Sequence, residues 1–367
     1  MLGMTSTFLL ALLTDRAFLA TWDHPVPLSL IFDSPAVDWS GPSSRLIPSF
    51  SPKEGSRPAH PLYDNSTLLH ARANGSLSMH NGREGTVDEL LDRLRSNNET
   101  GLLDMPWVRF ERPNRGMAIH SFSAPTMLDE LSALGLSTST VYAQIVHYLF
   151  RPKLEALMFI SEYASLFSLP TVFSVGIQVR TGDMFMGNLE LDKVNTIERH
   201  QHFFDCANEV AETYAAPGQR PLWFLITDSA TLRRSAAETY PDRVVVSGLT
   251  QHHNELRASK TVKPESVTHA NGKPTVEELE REIDGMQNSV AESWIFSGVD
   301  FALLSYASGF GKIPTFMHAK PNRAIVVPRV QYERSKPHDL AAWSRPDMPS
   351  CRLETSLSSF SDLASNW

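Results

Sequence analysis

Cysteine, long apolar runs and clustered basic residues are all scarce in this chain of 367 residues. Its only cysteines, Cys206 and Cys351, are too few for a disulfide framework or a cysteine-rich metal site, so one disulfide and two buried thiols both fit the sequence. No apolar run approaches the roughly 20 residues that a membrane-spanning helix needs. The formal net charge is −8 and no basic stripe is present, which argues against a nucleic-acid partner. These absences leave the class of globular proteins, and the chain is long enough for two domains.

The amino terminus differs from a signal peptide. Met1–Trp22 has no basic start, and Asp15 and Arg16 interrupt a short apolar run. We interpret this segment as a buried helix followed by a strand at Ala17–Trp22. Because the chain begins inside a structural element, we expect a truncated chain or an incomplete gene product. Membrane attachment is expected only through a leader or anchor that this sequence does not contain.

A loop-rich insertion at about residues 25–83 is rich in Pro, Ser, His and Asn. Three triplets in the polar region of the amino-terminal half match the acceptor pattern for N-glycosylation, at Asn65–Thr67, Asn74–Ser76 and Asn98–Thr100. Clustered acceptor triplets favour a location in the secretory pathway, in the lumen of the Golgi or the endoplasmic reticulum.

Apolar strands alternate with helices after Ser168, which predicts βαβ units in a parallel, doubly wound sheet. The predicted strands are Val172–Val179, Trp223–Thr227, Val244–Ser247, Phe301–Leu304 and Ala324–Val327. A long helical region precedes them, and we expect Pro152 to kink or divide it. The predicted organisation is an amino-terminal domain at residues 1–168, a ligand-binding domain at 169–345 and a carboxy-terminal tail at 346–367.

Arg180 follows the first of these strands directly, and Thr181, Gly182 and Asp183 are turn residues. In open α/β sheets the ligand crevice lies outside the carboxyl ends of the strands. A guanidinium group there suits bidentate binding of a phosphate. We therefore predict that Arg180 contacts a phosphate, with a turn salt bridge to Asp183 as the alternative.

Two further strand ends carry polar residues. Asp228 follows the second predicted strand, and Ser229 can cap the next helix. The segment Ser305–Gly311 follows the fourth strand and opens a helix, whose backbone N–H groups and Ser308 hydroxyl suit an anion. The alternatives are that Asp228 is only a helix cap and that Ser308 caps a helix facing solvent. Carboxyl ends of parallel strands share one edge, so we expect the three ends to form one pocket.

The chain resembles the GT-B type fucosyltransferases, a superfamily that includes the plant α1,2-, the core α1,6- and the protein O-fucosyltransferases. Four segments carry the resemblance: Val175–Asp183 (VGIQVRTGD), Phe224–Ser229 (FLITDS), Glu292–Lys312 (ESWIFSGVDFALLSYASGFGK) and Thr5–Trp22. The last of them is similar to the plant-like branch. The resemblance implies an α/β fold with two Rossmann-like domains whose parallel sheets face a cleft.

The resemblance also implies roles for single residues. Arg180 matches the arginine that holds the β-phosphate of GDP-fucose and stabilises the leaving diphosphate. Asp228 matches an acid at the border of the nucleotide site, and Glu292 matches an acid that accepts guanine N–H groups, although by itself it reads as an exposed helix charge. The other implied GDP-fucose-binding positions are Gln178, Ser308, Gly309 and Phe310. Gln178 replaces a histidine of many relatives, as the plant-like branch tends to show.

The implied reaction is an inverting transfer of fucose from GDP-fucose to a glycan or glycoprotein, without metal or cofactor. The sequence has no Asp-x-Asp motif for a divalent cation, and Arg180 with the Ser308 helix end could neutralise the departing GDP. Asp183 or Glu190 is the candidate general base, with Asp192 nearby, although each is also explained as a solvated or structural charge. The acceptor is expected against the amino-terminal domain, at Asp23, His24, Trp107, Arg109 and His120.

Two other functions fit the same sequence. A non-catalytic relative that binds a glycan or a sugar nucleotide is favoured by truncation and by a missing base. A nucleotide-binding α/β enzyme of another type would share the phosphate site but would prefer another nucleotide.

Overall fold

The computed structural model describes residues 2–13, 18, 20, 26–39, 117–123, 127–182, 185, 188–249, 276–306, 308–330 and 350–365. The chain divides into two compact units. The first unit contains Met1–Thr21, Ser34–Phe150 and Phe360–Trp367, and the second unit contains Trp22–Asp33 and Arg151–Ser359.

The described part of the first unit is helical. Its helices are α1 (Leu2–Leu13), α2 (Met117–His120), α3 (Leu128–Ala133), α4 (Val141–Leu149) and a short helix at Phe360–Ser365. Aromatic contacts and a buried hydrogen bond hold this unit together: the Phe8 ring lies 5.3 Å from the Phe18 ring, and the Trp39 indole N–H donates to the Leu149 carbonyl at 2.6 Å. The predicted amino-terminal helix is confirmed.

The predicted strand at Ala17–Trp22 falls outside the described residues, apart from Phe18 and Ala20, which belong to no regular element. The second Rossmann-like sheet expected for the amino-terminal half therefore stays a prediction.

The second unit is built around a five-stranded parallel sheet. Two short strands, β1 (Phe32–Asp33) and β2 (Arg151–Pro152), first form an antiparallel pair. The sheet strands are β3 (Val172–Val179), β4 (Arg220–Thr227), β5 (Val244–Val245), β6 (Phe301–Ser305) and β7 (Ala324–Val327). They lie in the order β5-β4-β3-β6-β7. The helices are α5 (Leu154–Phe167), α6 (Leu189–Asp192), α7 (Ile197–Tyr214), α8 (Ala230–Thr239), α9 (Val276–Ser297) and α10 (Gly309–Met317).

Strand β3 is buried along its whole length, because helices cover both faces of the sheet. Val175 and Ile177 belong to one core cluster with Phe203 and Phe204 of α7. On the opposite face, a Cβ atom added at Gly176 would lie 2.6 Å from the Phe296 ring of α9, so only glycine lets this helix approach so closely. The predicted α/β class and doubly wound parallel sheet are confirmed.

The long helical region before the sheet is divided at Pro152, as predicted, since α4 ends at Leu149 and α5 begins at Leu154. The two compact units separate at Phe150, earlier in the chain than the predicted boundary at residue 168. Helix α5 belongs to the second unit because it packs on the sheet, where the Phe167 ring lies 5.8 Å from the Phe224 ring of β4.

A disulfide joins Cys206 of α7 to Cys351, across 145 residues of sequence. Both cysteines are buried. Next to the disulfide, the Glu209 carboxylate accepts hydrogen bonds from the Ser350 hydroxyl at 2.8 Å and the Cys351 backbone N–H at 2.7 Å. Of the two states that the sequence left open, the structure has the disulfide. Among the described helices, none combines the length and apolar composition needed to cross a membrane.

Candidate functional site

The strand order places a crevice at the centre of the sheet. The chain starts at β3 and adds β4 and β5 on one side, then crosses to add β6 and β7 on the other. The direction of winding therefore reverses between β3 and β6. Open α/β sheets bind ligands outside the carboxyl ends of the strands at such a reversal. The residues that follow β3 and β6 are thus the candidate site.

Arg180 lies at this point, held by its backbone and by its side chain. Its backbone N–H donates to the Ser305 hydroxyl at 2.8 Å. Its Nη1 atom lies 2.5 Å from Oδ2 of Asp228, and the Arg180 side chain keeps 24% of its surface exposed. The predicted position at the end of a buried strand is confirmed. Asp228 forms a salt bridge with Arg180, whereas Asp183, the predicted alternative partner, lies outside the described residues.

Asp228 supports the turn after β3. Its carboxylate accepts hydrogen bonds from Nη1 of Arg180 at 2.5 Å, from the backbone N–H and hydroxyl of Thr181 at 2.7 and 3.0 Å, and from the Gly182 N–H at 3.1 Å. Its side chain is 4% exposed. Both oxygens are thus committed to protein donors, which makes Asp228 a positioning residue for Arg180. It is not the cap of α8, because the Ser229 hydroxyl accepts from the Leu232 N–H at 3.0 Å.

Gln178 and Ser305 connect β3 to the turn after β6. The Gln178 Oε1 atom accepts from the Ser305 backbone N–H at 3.1 Å, and Nε2 donates to the Ser308 hydroxyl at 3.0 Å. The Ser305 hydroxyl donates to the Gln178 carbonyl at 3.0 Å. Gln178 is only 2% exposed. The structure therefore buries this predicted substrate-binding residue below the site, where its hydrogen bonds hold the turn after β6 against β3.

Helix α10 begins directly after Ser308, at Gly309 and Phe310. Ser308 occupies the N-cap position but its hydroxyl makes no bond to the first turn. The N–H groups of the first turn of a helix attract anions, because they have no partner within the helix. The predicted anion-binding helix end therefore lies on the same sheet edge as Arg180, bonded to β3 through Gln178.

Glu292 is buried, which contradicts one of its two sequence-based interpretations. It is fully buried in α9, so it is not an exposed helix charge. Its carboxylate accepts from the Ser247 hydroxyl and lies 3.4 Å from Nη2 of Arg233. The Arg233 guanidinium also donates to the carbonyls of Leu249 and, at 3.2 Å, Thr227. In this structure Glu292 therefore pairs with a largely buried arginine, and its contact with a guanine base stays a prediction.

The candidate bases are placed unequally. The Glu190 side chain is 79% exposed and its Oε1 atom lies 2.7 Å from Nζ of Lys193. Asp192 is buried and accepts from the Asn195 amide at 3.0 Å and the Thr231 backbone N–H at 2.9 Å, which gives it a structural role. The remaining predicted positions lie outside the described residues: Asp23, His24, Trp107, Arg109 and Asp183, together with the side chain of His120.

No group of three or more His, Cys, Asp or Glu side chains suited to a metal ion occurs within the described ranges. The absence of a metal requirement stays a prediction.

Several residues that shape the site were missed by the sequence analysis. The Ser305 hydroxyl accepts from the Arg180 backbone N–H, and the Thr181 hydroxyl donates to Asp228. Arg233 is the partner of Glu292. Gly311 was noted only as part of a glycine-rich turn, yet a Cβ atom there would lie 2.7 Å from Oε1 of Gln178. Ser305 had a usable signal, because it is a polar residue that ends a buried apolar strand.

Comparisons with known proteins complete the description. No family model and no curated protein matches the chain. Among solved structures, an arginine-to-lysine mutant of FUT1 from Arabidopsis thaliana, in complex with GDP, is similar at 17% identity and a TM-score of 0.47, covering 94% of this chain and 70% of that one. The NodZ α-1,6-fucosyltransferase soaked with GDP-fucose is similar at 16% identity and a TM-score of 0.30. A selenomethionine form of the fucosyltransferase NodZ from Bradyrhizobium is similar at 15% identity and a TM-score of 0.28.

The similarity to each NodZ structure covers 56% of this chain and 52% of that one, so the chain spans about half their length. All three TM-scores are below 0.5.

Proposed function

We propose that the protein is a glycosyltransferase that moves fucose from GDP-fucose to a glycan acceptor. The observation that carries the proposal is the position of Arg180. Its guanidinium group is held by Asp228 at the carboxyl end of the central strand, and the neighbouring strand β6 leads into α10 at the same edge of the sheet. A fixed cation beside a helix N-terminus supports a diphosphate group. The motifs around Arg180, Asp228 and Ser308 resemble those of fucosyltransferases that use GDP-fucose.

In the proposed reaction, negative charge develops on the GDP leaving group as the bond from the fucose anomeric carbon to the β-phosphate oxygen breaks. Arg180 stabilises this charge without reorganising, because Asp228 already holds its guanidinium. The acceptor hydroxyl forms the new bond to the anomeric carbon, and we propose inversion at that carbon. The cation and the helix end supply the positive charge, so no metal or cofactor is required.

The identity of the base remains part of the proposal. Glu190 is exposed and lies outside the buried hydrogen-bond networks, so it is free to turn towards an acceptor after leaving Lys193. Asp183 follows the Arg180 turn directly in sequence. Replacing each by alanine and measuring the pH profile of transfer would identify the residue whose loss removes the acid limb.

The glycan or glycoprotein acceptor and the Golgi or endoplasmic reticulum lumen complete the proposal. Two features support a secretory location. The first is the cluster of three N-glycosylation triplets. The second is the Cys206–Cys351 disulfide, since such bonds persist in oxidising compartments and are rare in the cytosol.

A nucleotide panel in a thermal-shift assay tests the donor. GDP and GDP-fucose should raise the melting temperature, whereas UDP-sugars, ATP and sulfate-donor nucleotides should not. Stabilisation by another nucleotide without a response to GDP would assign the site to another type of α/β enzyme. Binding of GDP without transfer to any glycan would favour a non-catalytic relative.

The role of Arg180 is tested by Arg180→Ala. Turnover should fall about 10²–10³-fold, as when one preorganised charge stabiliser is removed. Arg220→Ala is the matched control, because Arg220 begins β4 at the opposite edge of the same sheet and its side chain is exposed. Equal activity of the two variants would contradict the assignment.

A further inference from the structure

Gln178 is a buried amide whose two ends have different hydrogen-bond partners. It lies in β3, and its side chain spans from the backbone of Ser305 to the hydroxyl of Ser308. Gln178 is 2% exposed and Ser308 is 4% exposed, so neither group exchanges its partner for bulk water. The chemical character of each partner therefore determines how the amide is oriented.

The orientation of the amide follows from the Ser305 backbone. A backbone N–H group can only donate, so the amide atom 3.1 Å from it must be the acceptor, Oε1. The other amide atom, Nε2, can only donate, and it lies 3.0 Å from the Ser308 oxygen. Ser308 must accept this bond. The polarity is thus set by covalent structure and not by the choice of an amide rotamer.

The hydroxyl of Ser308 is left with its own proton to donate. A serine hydroxyl has one donor and two acceptor positions. Within the described residues its oxygen accepts from Gln178, and it makes no bond to the first turn of α10. The Ser308 hydroxyl stands at the helix start, where the backbone N–H groups of the first turn are also donors. The Ser308 hydroxyl and these backbone N–H groups are therefore all hydrogen-bond donors, and an anion accepts hydrogen bonds from such donors.

We infer that Gln178 is a positioning residue that makes Ser308 a hydrogen-bond donor to a phosphate group of the ligand. In this arrangement the Ser308 hydroxyl and the first-turn N–H groups of α10 donate to phosphate oxygens, while Gln178 itself does not contact the ligand. This inference deepens the proposed function, because it names the part of the donor substrate that the turn after β6 recognises. It depends only on a phosphate group being bound there, whichever nucleotide carries it.

Gln178→Glu reverses the direction of the hydrogen bond to Ser308 while the shape of the side chain stays nearly constant. A carboxylate still accepts from the Ser305 N–H, but its second oxygen also accepts, and it takes the proton of Ser308. We expect affinity for GDP and for inorganic pyrophosphate to fall about 10- to 100-fold, the loss of one hydrogen bond to a charged group. Affinity for guanosine, which has no phosphate, should stay within about twofold by isothermal titration calorimetry.

Ser308→Ala and Ser308→Thr provide the matched pair, and they keep the test valid if the buried glutamate prevents folding. Ser308→Ala should lower the affinity for pyrophosphate by the same factor. Ser308→Thr, which keeps the hydroxyl, should bind pyrophosphate like the wild type. In the double variant Gln178→Glu with Ser308→Ala, the loss should not exceed that of the larger single loss.

Three outcomes separate this inference from the proposed function. Unchanged pyrophosphate affinity in Ser308→Ala would overturn the inference. An equal loss for guanosine and pyrophosphate would also overturn it, since it would show general damage to the site. If wild-type protein binds pyrophosphate and another nucleotide but not GDP, and Ser308→Ala weakens both phosphate ligands, the proposed donor is wrong and the inference holds.

Discussion

Asp228→Asn is the change that most directly tests how the site is built. Asparagine has nearly the same shape as aspartate but carries an N–H₂ group in place of one oxygen. If that group replaces Oδ2, it faces Nη1 of Arg180 and the N–H of Gly182, which are both donors. Two hydrogen bonds and the charge pair are then lost together. The bonds from Thr181 to the remaining oxygen can persist.

The cost is large because the aspartate is buried. Removing one partner of a buried ion pair destabilises a protein by about 3–5 kcal/mol. Arg180 retains 24% exposure, so water compensates in part and we expect about 3 kcal/mol, at the lower end of that range. Without the Asp228 carboxylate the guanidinium is held less firmly, so turnover should fall about tenfold although Arg180 is still present.

Urea unfolding followed by circular dichroism at pH 7 measures the stability change, and initial rates of fucosyl transfer measure the functional change. Asp242→Asn is the control, because Asp242 is 92% exposed and lies 3.9 Å from Arg220. Exposed ion pairs of this kind contribute little, so the control should unfold like the wild type. Equal unfolding midpoints for Asp228→Asn and the wild type would refute the proposed role of the carboxylate.

Three further predictions concern packing, the disulfide and pH. Gly311→Ala should lower stability by about 1–3 kcal/mol and weaken the GDP-induced thermal shift, because the new methyl group displaces the Gln178 amide 2.7 Å away. Replacing both disulfide cysteines by serine should cost about 2–5 kcal/mol of unfolding free energy, and thiol titration of denatured wild-type protein should find no free thiol among Cys206 and Cys351. Burial lowers the pKa of His200 to about 3. The unfolded chain therefore binds a proton first as the pH falls below about 6.5, and stability is lost towards lower pH at about 1.4 kcal/mol per unit. His200→Gln should reduce the difference in unfolding free energy between pH 7 and pH 5 by about 2 kcal/mol.

Much of the second unit could be predicted from local sequence. Val172–Val179 and Ala324–Val327 have the predicted bounds as β3 and β7. These elements are long or strongly apolar, and turn residues mark their ends, so periodicity alone defines them. The position of Arg180 at the carboxyl end of β3 could be predicted in the same way, because the end of a strand is a local feature of the sequence.

The pairings inside the site could not be predicted in this way. Arg180 is paired with Asp228, a residue 48 positions away in sequence, because β3 and β4 are neighbours in register. Asp183 is much nearer in sequence and was the natural alternative. Glu292 shows the same limit: its helix pattern does not reveal that Arg233 of another helix lies against it. Polar pairs across elements depend on sheet order, which periodicity does not encode.

The register of β3 determines whether the site can form. Gln178 pairs with Ile226 on one side and with Leu304 on the other, so it is aligned by both neighbouring strands. Successive residues of a strand face opposite sides of the sheet, so a slip of one position would turn the amide towards α7. Such a slip would also bring bulky apolar residues of β3 against the Phe296 ring, where only Gly176 fits, and it would present neither Arg180 nor Ser308 correctly to a ligand. Retention on an immobilised ligand would therefore separate correctly aligned molecules from compact misfolded ones in a refolded sample.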